Sequence, residues 1–315
     1  MESMQREPKF ISVVARMHND RKRIRPFLQT VMEACTAAFA KCELILVDDA
    51  STDGSAAEVR AFFEEHPADY MVSIVKLGIC QGLETAMNAG RDLAIGDFVY
   101  EFDDLVVDYE PEMIRKAYES CIGGHDIVEV SSDAPMRWTS RLFYGVYNRS
   151  SKTQIPVEQT TFRLLTRRAV NRVKSLGVHI PYRKAVYLNC GLSVERLRYA
   201  SKSGGLTAHS VGEGRAELAT DTFIYFTNVM EKMALFVTGL FFLVALGVAV
   251  YVVVSIFTDD QMASGWVSLM GFLSIAFMGV FGLLAVLLKY LSVIVNLTFR
   301  KERYLIEDIE KIIGK

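Results

Sequence analysis

The chain has 315 residues and a formal charge of −2, enough for one large or two small cores and without the basic excess that holds a nucleic-acid backbone. Apolar residues make up 51% of it, high for a soluble protein, and the surplus is concentrated near the C-terminus. Five scattered cysteines (Cys35, Cys42, Cys80, Cys121, Cys190) without CxxC spacing argue against a disulfide framework and for reduced thiols in a cytosolic compartment.

The opening MESMQREPKFISVV has a polar leader and a short apolar run, without the apolar core and small-residue cleavage site of a secretory signal. FISVVARM (Phe10–Met17) is rich in β-branched residues and predicts a buried strand. Helical spacing follows over Arg25–Ala40, with Pro26 in the first turn. CELILVDD predicts a second strand and SAAEVRAFFEEH a second helix. YMVSIVKL (Tyr70–Leu77) predicts a third strand, and GLETAMNAGRDLA a helix whose small residues allow close packing. After the turn at Gly96-Asp97, FVYEFDDL predicts a fourth strand. Strands and helices alternate at βαβ spacing, so the expected fold class is α/β with a parallel, doubly wound sheet.

In such sheets ligands bind at the carboxyl ends of the strands. The second strand ends there in LILVDDASTDGS (Leu44–Ser55), an apolar run meeting two adjacent carboxylates that are costly to desolvate unpaired. Asp48 and Asp49 are therefore expected at the mouth of a crevice, with Asp103 and Asp104 at a second strand end. Ser51, Thr52 or Asp53 can instead cap the next helix. His18, just after the first strand, is either a nucleotide contact or a surface-loop residue.

Beyond residue 125 the alternation breaks down. MRWTSRLFYGVYNR (Met136–Arg149) and TTFRLLTRRAVNRVKSL interleave arginines with aromatic and apolar residues, a pattern suited to a surface touching lipid headgroups. His209, near Gly212 and Gly214, lies in a loop that either covers the ligand or is ordinary surface. RAELATDTFIYFTNVMEK (215–232) reads as an amphipathic juxtamembrane helix. Residues 233–257 and 265–288 are uncharged and longer than the about 20 residues that cross a bilayer as a helix. Two transmembrane helices in a hairpin are expected over 233–299. Lys232, Lys289, Arg300, Lys301 and Arg303 flank them and the connecting loop carries no Lys or Arg. Both chain ends are thus expected in the cytoplasm, with 300–315 as a cytosolic tail.

Several of these residues resemble family-2 glycosyltransferases, and among them the membrane-anchored polyprenyl-phosphate group that includes dolichol-phosphate mannose synthases and bactoprenol glucosyltransferases. VDDASTDGS is similar to the family's VDDGSTDGT element, and GLETAMNAG (Gly82–Gly90) to its Gly-x-x-x-Ala-x-Asn-x-Gly helix. FRLLTRR resembles FRLLSRR, and YLSVIVNLTFRKERYLIEDI the tail after the second span. The resemblance implies a cytosolic GT-A (Rossmann-like) nucleotide-sugar-binding domain over 1–214. It implies donor binding by Asp48, Asp49, Asp53, Gly82 and Asn88. It also implies a divalent metal, Mg²⁺ or Mn²⁺, held at Asp103 with Asp104 or Asp108, the same acids being the catalytic candidates.

Two departures from the family pattern bear on mechanism. Where relatives read DADLQDPPE this chain reads EFDDLVVDYEPE, so Leu105 takes the second acid position. Thr160 and Thr161 stand before Phe162 where many relatives have an acid. A hydroxyl acceptor needs a base there. A phosphate monoester carries about −1.5 to −2 charges at neutral pH and needs cations to position it instead. Arg137, Arg141, Arg163 and Arg167 are the candidates for that task.

The expected function is transfer of a sugar from a UDP- or GDP-sugar donor to a polyprenyl phosphate in the cytoplasmic leaflet, with inversion. The protein would sit in the inner membrane or its equivalent, among membrane lipid, and homo-oligomerisation through the hairpin stays open. The alternatives are transfer to a hydroxyl of a lipid-linked saccharide, or a non-catalytic nucleotide-sugar-binding membrane subunit.

Overall fold

In a computed structural model, the described residues are 6–134, 141, 144–145, 148–149, 156–175, 182–202, isolated positions between 236 and 247, 265–299 and 304–312. They fall into two units, one holding the sheet together with 302–315, the other 149–152 and 220–301.

The first unit opens with β1 (Glu7–Met17), whose centre is fully buried. The following helix starts earlier than its spacing predicts. It runs as α1 (Arg21–Phe27), a π turn at Leu28–Met32, and α2 (Glu33–Ala38). Pro26 is inside α1 and not in the first turn; it lacks the N–H that would continue the ladder, and the helix widens just after it. Next come β2 (Phe39–Asp48), α3 (Ser55–Glu65), β3 (Met71–Leu77), α4 (Leu83–Leu93) and β4 (Phe98–Phe102). These match the predicted alternation. The sheet then continues where the sequence pattern was lost, through α5 (Glu112–Ile122), β5 (Ile127–Ser132), β6 (Phe162–Thr166), α6 (Arg167–Ser175), α7 (Arg183–Asn189) and β7 (Val194–Tyr199).

The eight strands are ordered β7-β5-β6-β4-β1-β2-β3-β8, the last being β8 (Ile306–Ile312). The expectation of a wholly parallel sheet is corrected: β6 runs antiparallel to both β4 and β5, and β8 antiparallel to β3. Helices cover both faces. Side chains of β1 such as Ile11, Val13 and Ala15 pack with α1, α3 and α5, and Val14, Val47 and Val99 pack with α4, α6 and α7. A Cβ on Gly90 would lie 2.5 Å from Val14 Cγ1 and 2.8 Å from Val47 Cγ2, so α4 sits against β1 and β2 at a distance only glycine permits.

The interfacial reading of TTFRLLTRRAVNRVKSL fails for its strand, while α6 leaves Arg168, Arg172 and Lys174 exposed. Phe162, Leu164 and Leu165 are buried in β6, inside the sheet, and Val170 and Val173 of α6 pack onto it. The amphipathic helix expected over 215–232 lies outside the described residues, as does His209. The first expected span lies almost wholly outside them.

In the second unit α8 (Gly265–Phe299) is one unbroken helix of 35 residues whose only charged residue is Lys289. Among the described residues no helix is long and apolar enough to cross a membrane, so the expected transmembrane hairpin is not supported by them. Many of the described side chains of α8, including Phe277, Phe281, Leu287 and Leu288, are large, apolar and more than half exposed.

Candidate active site

Parallel pairing brings the carboxyl ends of four strands to one edge. Met17 of β1 is level with Asp48 of β2, and Ala15 with Phe102 of β4. β2 and β4 flank β1, so at about 4.8 Å per strand their ends lie about 10 Å apart. Asp48 and Asp49 thus share an edge with Asp103 and Asp104, as the sequence implied.

The two aspartates after β2 behave differently. Asp48 is buried and its Oδ1 accepts from the Ser51 N–H at 2.9 Å. Asp49 is inaccessible and heavily engaged. Arg16 Nε and Nη2 donate to its Oδ2 at 3.0 and 2.8 Å, and the backbone N–H groups of Gln81 and Gly82 reach its carboxylate at 2.7 and 3.1 Å. Asp49 therefore ties β1 to the loop after β3. Gly82 has φ +86°, a conformation side chains rarely adopt, and this aims its N–H at Asp49. His18 Nδ1 lies 2.6 Å from the Asp49 carbonyl oxygen, so His18 belongs to this edge.

Asp53 organises the loop. Its Oδ1 accepts from the Ser55 N–H at 2.9 Å and its Oδ2 from the Arg21 N–H at 3.0 Å. Burial opposes ionisation, but a hydrogen bond from the Ser55 hydroxyl together with these backbone ones outweighs it, and the carboxyl titrates below the usual range. Asn88 is buried in α4, and its Oδ1 has no hydrogen-bond partner among the described residues.

Beyond β4 stands a buried ion network that sequence reasoning did not find. Arg183 is wholly inaccessible. Its Nε donates to Glu84 at 2.8 Å, Nη1 to Glu101 at 2.7 Å and Nη2 to Asp103 at 2.7 Å. Arg163, equally buried, donates to Glu101 at 3.3 Å, to both oxygens of Asp103 at 3.4 and 3.2 Å, and to Thr160 at 2.8 Å. Tyr187 donates to Glu101 at 2.7 Å and accepts from Arg91 at 3.0 Å. Burial disfavours the Asp103 carboxylate, yet Arg163, Arg183 and Lys184 overcome that cost and hold it well below the usual carboxylate range. The sequence signal was a glutamate inside the apolar strand FVYEF. Alternation sets Glu101 on the face of Val99, where only a buried cation can compensate it.

Asp104 is buried, and its Oδ1 accepts from the Val106 N–H at 3.0 Å. Asp108 accepts from the Tyr199 hydroxyl, and from Ser201 at 3.3 Å. Asp103, Asp104 and Asp108 do not converge within 4.8 Å. Among the described residues the one group of metal-ligating side chains that does is His18, Asp49 and Cys80, where Arg16 already supplies a cation.

The four candidate arginines are dispersed. Arg163 is committed to Glu101 and Asp103. Because β6 is antiparallel, Arg167 emerges at the opposite end of β4, about 17 Å along a five-residue strand, and binds the Gly96 carbonyl at 2.8 Å. Arg141 is exposed, and Arg137 lies outside the described residues.

The structure is an open α/β sheet with acidic groups gathered at its carboxyl edge, the edge where such sheets bind ligands. The family model described as glycosyl transferase family 2 matches residues 12–174, and the chain belongs to that family. It is 27% identical over 183 residues to an uncharacterised glycosyltransferase of Synechocystis, covering 56% of each chain. It is 30% identical over 148 residues to undecaprenyl-phosphate 4-deoxy-4-formamido-L-arabinose transferase of Edwardsiella ictaluri, covering 45% of this chain and 44% of that one. These two matches span only about half of the relatives' length. Similarity to the bactoprenol glucosyl transferase of Shigella phage SfX is longer: 26% identity over 317 residues, 95% of this chain and 99% of that one. The fold is similar to glucosyl-3-phosphoglycerate synthase from Mycobacterium tuberculosis, with a TM-score of 0.51, 15% identity, and coverage of 69% of this chain and 78% of that one.

Proposed function

We propose that the protein transfers a sugar from a UDP- or GDP-sugar to a polyprenyl phosphate at the cytoplasmic face of a membrane in which it is anchored. The observation that carries this reading is the extent of similarity to the SfX bactoprenol glucosyl transferase, which runs through the apolar C-terminal segment as well as the sheet. β7 and β8, which bracket the apolar segment in sequence, lie in one sheet, so on this reading the segment crosses the bilayer an even number of times.

The donor is held at the edge where Asp48, Asp49 and His18 meet the ends of β1 and β2. An oxygen of the acceptor phosphate attacks the anomeric carbon in line. The bond from that carbon to the nucleoside diphosphate breaks, the diphosphate leaves with the electron pair, and configuration inverts. The acceptor is already anionic, so no base is required. This agrees with Thr160 and Thr161 standing where relatives have an acid, each hydrogen-bonded to Arg163 or Tyr199.

A divalent ion suits this site without a three-carboxylate cage, since Mg²⁺ is commonly held by one or two carboxylates plus substrate phosphates. Asp103 and Asp104 are neighbours in the chain and not a converged ligand set; Asp103 stays ionised at physiological pH and already accepts from Arg163 and Arg183, so an ion there would share its oxygens with those guanidinium groups. Bound there, Mg²⁺ or Mn²⁺ would neutralise charge on the leaving diphosphate. Asp108, turned to Tyr199 and Ser201, is not part of that set. Arg163, Arg183 and Lys184 keep Asp103 charged and fixed.

The test incubates purified full-length protein with radiolabelled UDP- and GDP-sugars and undecaprenyl phosphate, with Mn²⁺ or EDTA. An acid-labile glycosyl phosphate lipid is expected. An acid-stable glycoside points to a hydroxyl acceptor and refutes the proposal, as does absence of any lipid product.

A further inference from the structure

The chain returns to its own sheet after a long excursion. β8 pairs along β3 from Val72↔Ile312 to Leu77↔Ile306, so β3 is no longer an edge. Glu310 of β8 accepts from Arg60 Nε and Nη2 at 2.6 and 2.8 Å and lies 3.1 Å from Lys76 Nζ. Ile312 and Ile306 pack against the cores on opposite faces of the sheet. The tail is thereby stitched to β3, to α3 and to both layers.

Just beyond the end of β3 the tail reaches the loop that holds Asp49. The Gln81 side chain pairs with the backbone of Leu305 in both directions: Nε2 donates to the Leu305 carbonyl at 2.7 Å, and Oε1 accepts from the Leu305 N–H at 2.9 Å. The Gln81 backbone N–H donates to Asp49 Oδ1 at 2.7 Å. One residue thus has its main chain on a crevice aspartate and its side chain on a segment 224 positions away. Loops after edge strands are among the less protected parts of a fold. This one spans only Gly78–Gly82, and it is pinned from the solvent side by the tail.

We propose that the C-terminal strand is a positioning element of the donor pocket and that Gln81 is the positioning residue through which it acts. The tail fixes the Gln81–Gly82 backbone, and that backbone fixes the Asp49 carboxylate. The inference rests on the donor reading of this edge, and it assigns to residues 304–312 a role in nucleotide affinity.

The test uses full-length protein in detergent, comparing wild type, Gln81→Ala and Glu310→Ala, with UDP and GDP as separate probes. Without nucleotide, hydrogen exchange at the Gln81 and Gly82 amides is expected to rise about tenfold in both variants. Affinity for whichever nucleotide the wild type binds is expected to fall about three- to tenfold, the scale of one or two lost hydrogen bonds. Wild-type exchange at those amides in both variants overturns the coupling. Raised exchange with unchanged affinity overturns the positioning role. A wild type that binds neither probe overturns the donor reading and this inference with it, an outcome the exchange measurement keeps distinct from failure of the tail contact alone. Glu310→Ala leaves every crevice residue in place, so it carries the test if Gln81→Ala folds poorly.

Discussion

Replacing Arg183 with methionine removes the centre of the buried ion network while roughly conserving volume. Three carboxylates lose a charged partner at 2.7–2.8 Å. Asp103 keeps Arg163, and Glu101 keeps Arg163 and Tyr187, but among the described residues Glu84 loses the one guanidinium that contacts it. Breaking a buried pair by deleting one partner costs about 3–5 kcal/mol, because the remaining charge stays desolvated. For a unit of this size, each kcal/mol lowers the melting temperature by about 2–4 °C, so a drop of about 6–20 °C is expected. The pH dependence has a definite sign. In the wild type the folded-state pKa of Asp103 is depressed, so its contribution is present above the unfolded value of about 3.9 and is lost as pH falls below it. In the variant a buried carboxylate left without its guanidinium costs less once it is protonated. The gap between the two proteins should therefore narrow from pH 8 to pH 5. Thermal denaturation of full-length protein at both pH values measures it. A loss under about 1 kcal/mol, or a gap that widens on acidification, refutes the claim that Arg183 compensates these acids.

Ala50 has φ +54° where the resembling motif has glycine. A left-handed L-residue costs about 1–2 kcal/mol and glycine's extra chain entropy about 0.5–1 kcal/mol. Ala50→Gly should therefore stabilise by about 0.5–1 kcal/mol in a denaturant titration, and a destabilised variant contradicts the assignment of backbone strain. Among the cysteines, Cys80 alone is exposed, with Sγ 3.6 Å from Asp49 Oδ2. Burial and the neighbouring carboxylate raise its pKa, and burial pushes Cys42 and Cys121 up to about 12. One maleimide should attach to the native protein, faster as pH rises through 8–9 and more slowly with bound UDP or GDP. Labelling that nucleotide leaves unchanged would remove Cys80 from the donor edge.

The sequence by itself was enough for the first half of the sheet. From Phe10 to Phe102 the apolar strands alternate with helices whose pattern is local, and the positions of Asp48, Asp49 and Asp103 at strand ends follow from that alternation. The small-residue face of α4, with Ala86, Ala89 and Gly90, was legible for the same reason. Beyond residue 125 the information ceases to be local. Strand β6 reads as a basic segment because Arg163 sits in it, and its partners Glu101 and Asp103 lie about 60 positions earlier. Arg183 compensates three acids from two segments, Glu84 in α4 and Glu101 with Asp103 at the end of β4, and nothing in its own stretch of sequence points to them. Arg163 and Arg167 are four positions apart yet end at opposite ends of a strand, since an extended chain separates what a helix would stack. The return of 306–312 to β3 is likewise invisible in the tail's own composition. An edge strand is chosen by which backbone hydrogen-bonding groups remain unpaired once the rest of the sheet has formed, and only the tertiary structure decides that.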